Sequence, residues 1–416
     1  MPDGELLDSA EARIEEHRRA AASLRMMAPD GRPIGGLSGR VRLVRREFKL
    51  GANAFCLGQI DDAGRQRDYD ERFAALLNYA TLPFYWGGYE PETDAPQAER
   101  LRAMAEWCRD NAVAAKGHPL VWHETFPKWA DAMEDAEVLR RLEARVRRIV
   151  SEFAGLVDIW DVVNEATVSA GVENAVGRWT KAAGAAACVA KALGWAHEAN
   201  KAATLLYNDF NVSPDFESLV QSLVDSGAPV HTVGVQSHMH KGTRPLEWVW
   251  NACEAYARWG LPVHFTEATV LSGRLKAEDD DDWHRVRDDW PTTPEGEAAQ
   301  LEYGRDFYTL LFSHPAVEAV TWWDFSDDRA WQGAPAGLVR KDMSPKPLYE
   351  WLAGSFGPGG RWSTDESFAS GADGRAEVRC FFGEHEVTGV TESGEELRGR
   401  FAFGRRGPRE IEVAMG

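Results

Sequence analysis

Eight short apolar runs recur along the chain, ending near Phe55, Tyr85, Trp122, Glu165, Asp209, His238, Glu267 and Phe325. Most gaps between them hold alanine- or charge-rich amphipathic stretches of helix length, so strand and helix alternate throughout. Strands connected in this way lie parallel and need helices over their outer faces, and eight such units make the rhythm of an α/β protein of the (β/α)8 TIM barrel type. Residues 98–111, 135–153 and 294–312 read as helices, the last opened by Thr293 as N-cap and Pro294 at the first helical position. Active sites of barrels are built at the C-terminal strand ends, and six of these eight ends carry a polar, ionisable or indole group.

At 416 residues the chain exceeds the roughly 250 of a typical barrel, so a second, smaller unit is expected. Residues 9–20 read as a short helix, followed by 22–27, a turn at Pro29-Asp30-Gly31-Arg32, and 41–44, a β-hairpin leading into the first barrel strand. After the glycine-rich stretch 354–360 the apolar period changes to two, with candidate strands at 376–382, 384–390, 399–403 and 410–413. Four short strands bury little alone, so the N-terminal hairpin is expected to complete their sheet. The expected organisation is an N-terminal helix and hairpin over 1–47, the catalytic barrel over 48–354 and a C-terminal β unit over 360–416. The two terminal segments together form a small antiparallel β accessory unit, read as a structural brace in preference to a carbohydrate-binding module.

A net charge of −19 leaves no basic stripe for phosphates, which excludes nucleic acid and anionic membranes as natural partners. Seventeen tryptophans are a surplus that suits a neutral carbohydrate, since a flat indole covers the C–H face of a pyranose, although most tryptophans serve as core. No apolar stretch approaches the ~20 residues of a membrane span, and the N-terminus lacks a basic start followed by an apolar run, so a cytoplasmic location is expected. Cys56, Cys108, Cys188, Cys253 and Cys380 are odd in number, widely spread and without a C-x-x-C pair, and are read as reduced thiols. Nothing in the sequence bears on oligomeric state.

Two stretches carry the chemistry. Trp160-Asp161-Val162-Val163-Asn164-Glu165 and Pro262-Val263-His264-Phe265-Thr266-Glu267-Ala268 each read as a strand that ends in a glutamate. A strand-end glutamate by itself is often only an ion-pair partner. Two facing carboxylates, however, are the minimal equipment for cleaving a glycosidic bond: one protonates the leaving oxygen while the other attacks, or activates water, at the sugar carbon.

These stretches resemble glycoside hydrolase family ten, the retaining β-1,4-xylanases. Gly117-His118-Pro119-Leu120-Val121-Trp122-His123 is similar to the third-strand signature of that family, residues 160–165 to the fourth, and Tyr207-Asn208-Asp209 to the fifth. Gly234-Val235-Gln236-Ser237-His238 resembles the sixth, Thr266-Glu267 the seventh, and Thr321-Trp322-Trp323 with Trp331 the eighth. The resemblance implies Glu165 as general acid/base and Glu267 as nucleophile. It also implies Asn164 on the sugar 2-hydroxyl, Gln236 and His238 as hydrogen-bond partners of the carboxylates, and Trp323 and Trp331 as the aromatic wall of the glycone site with His118 and Trp122 opposite. Glu165 must rest protonated and Glu267 ionised, a difference that surroundings have to supply.

His118, His123, His238 and His240 also suggest a metal, but the available carboxylates are those a glycosidase uses directly, so neither metal nor cofactor is expected. The acidic run 278–282, with Trp283 and Trp290, lies in the long connection after the seventh strand. It reads as a solvated loop or, more sharply, as a lid offering an indole to the aglycone side.

The chain departs from the family pattern after the second strand. Where the xylanases carry Glu-Asn-x-x-Lys, this chain has an aromatic, glycine-bearing loop that includes Tyr85 and Trp86, and Glu124-Thr125 replaces Ser-Gln after the third strand. Stacking by Tyr85 and Trp86 is expected in place of hydroxyl recognition, with the second glycone subsite reshaped or blocked. The expected function is a retaining glycosidase cleaving β-xylosidic linkages in short xylo-oligosaccharides or β-xylosides with an apolar aglycone. A transglycosidase shares every catalytic residue, and a non-catalytic carbohydrate-binding relative shares the fold.

Overall fold

The computed structural model describes residues 3–210 and 212–416. Two short helices, Asp3–Asp8 and Ala10–His17, lead into strands β1 (Arg19–Met27) and β2 (Ser38–Arg46). The barrel follows: β3 (Lys49–Asn53), β4 (Tyr79–Pro83), β5 (Ala114–His118), β6 (Val157–Asn164), β7 (Thr204–Asp209), β8 (Thr232–Met239), β9 (Val263–Val270) and β10 (Val317–Trp322). These eight strands pair in chain order, all parallel, and β10 closes on β3. With helices outside and side chains inside, both faces are covered, and every residue of β9 is buried. The three helices read from the sequence form as Ala98–Asp110, Asp135–Glu152 and Pro294–Ser313. The Thr293 hydroxyl accepts from the Gly296 amide at 3.0 Å, satisfying one of the helix's free N–H groups.

The remaining strands, β11 (Asp365–Ala369), β12 (Arg375–Phe381), β13 (Gly383–Val390), β14 (Glu396–Phe403) and β15 (Glu410–Ala414), join β1 and β2 in an accessory unit. The expected hairpin between β1 and β2 does not form. Strand β1 lies between β12 and β15, the latter pairing being parallel, whereas β2 lies between β11 and β13 in a second, four-stranded sheet. The turn itself is present, with the Gly31 amide bonded to the Ala28 carbonyl, but the chain then crosses to the facing sheet. Ala22, Leu24 and Met26 of β1 and Val41 of β2 share one core with Val378, Val387, Phe401 and Phe403, so the two strands meet face to face. Alternation of apolar residues reports which side of a strand is buried and not which sheet it joins, so the sequence pattern fits both arrangements. Strand β11 escaped the sequence reading because Phe368 is its only buried residue.

The sandwich is bound to the N-terminal end of the barrel. The Arg18 guanidinium donates to the carbonyls of Phe312, His314 and Val317 at 2.5, 2.6 and 2.7 Å, at the end of the last helix and the start of β10. The phenylalanines of the sandwich are buried, and the C-terminal end of the barrel is left free for chemistry.

Candidate active site

Glu165 follows β6 and Glu267 lies within β9, both at the C-terminal mouth. Glu165 takes a left-handed backbone conformation (φ 56°, ψ 44°), a sparsely populated one for a residue with a side chain. Its carboxyl oxygens receive the Trp122 indole N–H at 3.0 Å and the Gln236 amide N–H at 2.9 Å. Burial pushes its pKa up to about 8; Glu267 and Asp209 add to the rise, while the bonds from Gln236 and Trp122 oppose it. At neutral pH Glu165 therefore carries a proton.

Glu267 is held differently. Oε1 accepts from Asn208 Nδ2 at 2.8 Å and stands 3.9 Å from His118 Nε2, and Oε2 faces His238 Nε2 at 3.1 Å. Burial alone would raise its pKa, but His118, His238 and Lys116 outweigh that effect and the net shift is downward. The hydrogen-bond pattern explains why His238 acts as a donor. The Thr269 hydroxyl spends its one proton on the Trp323 carbonyl at 2.7 Å, so it can only accept from His238 Nδ1, 2.9 Å away. With Nδ1 turned to Thr269, Nε2 is the ring nitrogen that faces Glu267 Oε2. A second chain runs through His118, whose Nδ1 lies 2.8 Å from the Asp161 carboxylate, itself paired with buried Lys116 at 2.6 Å. One carboxyl kept neutral and one kept charged is the division of labour that double displacement needs.

Asn208 ties the site together. Its Nδ2 bonds both Glu267 and the Asn164 Oδ1, the latter at 2.7 Å, and its own oxygen accepts from Thr266 at 2.5 Å. Gln236 also donates to the Asn164 oxygen, at 3.2 Å, so both lone pairs of that oxygen are engaged. A Cβ at Gly234 would stand 2.5 Å from the Asn208 oxygen, so the hub needs a glycine on the neighbouring strand.

The walls are aromatic. Trp331 packs on His238 with ring centroids 4.7 Å apart, and Trp323 lies 5.5 Å from His118. Tyr85 reaches His118 at 5.4 Å and Trp122 at 5.7 Å, which places it at the mouth as the sequence suggests. Trp86 is not there. It starts the four-residue helix Trp86–Tyr89, which turns its indole inward against Phe126 and Trp129, and it is 5% exposed. In the connection after β9, Trp290 is not the indole offered to a ligand: it is buried, and its N–H bonds the Arg274 carbonyl at 2.6 Å.

Three site residues escaped the sequence reading. Phe55 meets Tyr85 and Trp323 at 5.9 and 5.2 Å, Thr269 orients His238, and Asn208 was visible only as part of a strand motif. Strand-end position was a signal for the first and last; a threonine inside a buried strand offers none. Among the described residues no group of three or more histidine, cysteine, aspartate or glutamate side chains is arranged to hold a metal ion.

A closed parallel barrel with an acid of raised pKa and a charged carboxylate at its C-terminal mouth defines a glycosidase of the barrel class. The family model for glycosyl hydrolase family 10 matches residues 73–355, and the chain belongs to that family of retaining enzymes, which cleave β-1,4-xylosidic linkages. It is 29% identical over 281 residues to endo-1,4-beta-xylanase B of Thermotoga neapolitana, a match covering 64% of this chain and 75% of that one. With the endo-1,4-beta-xylanase of Geobacillus stearothermophilus it shares 31% over 256 residues, covering 56% and 75%. Xylanase 10B from Thermotoga petrophila RKU-1, solved in complex with xylobiose, superposes with a TM-score of 0.61 at 27% identity, over 73% of this chain and 92% of the other. The native xylanase 10B from Thermotoga maritima gives 0.62 at 27%, over 73% and 93%. The family match begins after β3, so Phe55 lies outside it.

Proposed function

We propose that this glycosidase acts on short xylo-oligosaccharides and on β-xylosides with an apolar aglycone, and that Glu165 is its acid/base and Glu267 its nucleophile. The observation that carries the assignment of roles is the opposite bias of the two carboxyls, Glu165 raised to about 8 and Glu267 lowered. Glu267 attacks the anomeric carbon as Glu165 protonates the leaving oxygen. Glu165, then ionised, takes a proton from water as the glycosyl–Glu267 ester is hydrolysed. Loss of the Glu267 charge in the ester lowers the Glu165 pKa at the step where a base is needed. The Asn164 amide meets the 2-hydroxyl, and Trp323 and Trp331 face the glycone.

Preference for short substrates rests on the Phe55 and Tyr85 rings beside Trp323, where a second glycone sugar would lie, and preference for an apolar aglycone on Phe210, 45% exposed just after β7. Short oligomers suit a cytosolic enzyme, and the five cysteines are all buried and unpaired. The test is hydrolysis of aryl β-xyloside, aryl β-xylobioside, aryl β-glucoside and xylan by the wild type and by Glu267→Ala. Turnover of the xyloside by wild type alone is expected. Silence on all four from folded protein, or equal rates on xylan and xyloside, would overturn the reading.

A further inference from the structure

The segment after β9 leaves the barrel and returns. Ser272 and Thr292 hydroxyls meet at 2.8 Å and Gly273 pairs with Thr292, so an excursion of nearly twenty residues has a closed stem. It is anchored from inside as well as at its base. Lys276 is buried, its backbone amide bonds the His240 carbonyl at 2.8 Å, and its ammonium bonds the Asp282 carbonyl at 2.7 Å while lying 4.7 Å from the Trp283 ring. Arg287 pairs with Asp280, and its amide bonds the Gln332 carbonyl at 2.8 Å. Gly333 follows with φ +69°, and a Cβ there would stand 2.2 Å from the Arg287 carbonyl oxygen, so the turn after Trp331 is shaped to receive the segment. Trp283 stacks on Trp331 at 5.9 Å and 20°.

The tip then reaches the far side. His284 Nε2 stands 3.9 Å from the Glu124 carboxylate, two residues beyond Trp122. In the closed order, β5 and β9 are four strands apart in either direction, so they are diametrically opposite. Contact between the segment rising from β9 and the loop after β5 therefore joins opposite sides of the mouth at which Glu165 and Glu267 stand. The two openings that remain face β10–β3–β4 and β6–β8. The first is walled by Phe55, Tyr85 and Trp323 in edge-to-face contact.

We infer that residues 273–292 form a standing roof that turns the cleft into a pocket open toward β6–β8, so that the site accepts the non-reducing end of a β-xyloside and excludes the interior of a chain. This rests on the xyloside reading above and makes the roof the element that sets terminal against internal cleavage. The ion pair at its tip is exposed and weak; the roof stands by its anchors at Lys276 and Arg287.

The test uses the full chain carrying E124C and H284C, with a thiol crosslinker spanning about 8 Å, because a direct disulfide needs Cα atoms within roughly 7 Å. The five native cysteines are buried and do not compete. Crosslinking in high yield is expected, with aryl β-xyloside hydrolysis kept within about twofold, since neither residue contacts the reacting atoms. From xylohexaose, wild type should release xylose and xylopentaose first. Replacing residues 278–286 by two glycines should yield xylobiose to xylotetraose, with kcat/KM on xylohexaose rising about tenfold relative to the aryl xyloside. Absence of crosslinking, loss of aryl xyloside turnover on crosslinking, or internal cleavage by the wild type would overturn the roof. A wild type inert on every xyloside would overturn the function proposed above, while crosslinking yield would still decide whether the segment spans the mouth.

Discussion

If Glu165 is the acid, as proposed, the basic limb of the pH profile should move when one hydrogen-bond donor to it is removed. The Trp122 indole donates to Glu165 Oε2 at 3.0 Å, and an indole N–H can only donate, so this bond favours the ionised carboxyl. In Trp122→Phe the ring packing with Tyr85 is kept and the donor is lost. A hydrogen bond to a charged group is worth about 1.5–3 kcal/mol, which is roughly one to two pH units. Gln236 still donates to the other oxygen, so the lower figure applies and the Glu165 pKa should rise from about 8 to roughly 9. Glycosylation needs the protonated acid. Activity is therefore lost as pH rises through this pKa, and a higher pKa extends activity to more alkaline pH. The assay is kcat/KM for phenyl β-xyloside, whose poor leaving group needs protonation, from pH 5 to 10.5. A limb that stays in place or moves toward neutrality would show that the indole does not control this proton.

Other outcomes follow from the same contacts. In Glu267→Gln the neighbouring charge is gone. At ~5.5 Å and an effective dielectric constant of about 20 it contributes roughly 3 kcal/mol, so NMR titration should find the Glu165 pKa lowered from about 8 to about 6, with turnover abolished. Thr269→Val leaves His238 Nδ1 without its acceptor and weakens the donor on Glu267. Activity is present above the lowered Glu267 pKa, so the acid limb of kcat/KM should move to higher pH and kcat should fall about tenfold, equivalent to roughly 1.4 kcal/mol. In the sandwich, burial depresses the pKa of His385, stacked on Phe401, to about 4. The unfolded chain takes up this proton first, so stability falls as pH drops from about 6.5 toward 4, by about 2 kcal/mol at pH 5. Urea unfolding of His385→Leu should lack that loss. Chelation should leave turnover intact, and a chelator-sensitive rate would contradict a mechanism run by two glutamates.

The barrel was legible because its information is local: eight apolar runs, intervening amphipathic helices and capping residues such as Thr293 each act within a few positions. So was the position of Glu165 and Glu267, since a glutamate at a strand end is placed at the mouth by the strand itself. What lay beyond the sequence depends on partners distant along the chain. Alternation in β1 and β2 is the same whether they pair or face each other, and only the shared core with Val378 and Phe401 sends them into different sheets. Tyr85 and Trp86 are adjacent aromatics, but one turn of helix sends the first to the mouth and the second to Phe126 and Trp129. Thr269 becomes important only because Trp323, just after the neighbouring strand β10, offers its carbonyl to the hydroxyl that also meets His238. The contact between residues 124 and 284 likewise joins positions far apart along the chain. The amino-acid sequence thus determined which elements form and which chemistry stands at their ends. The tertiary structure decided which of those groups meet, because hydrogen-bond direction and steric closure are properties of pairs in space.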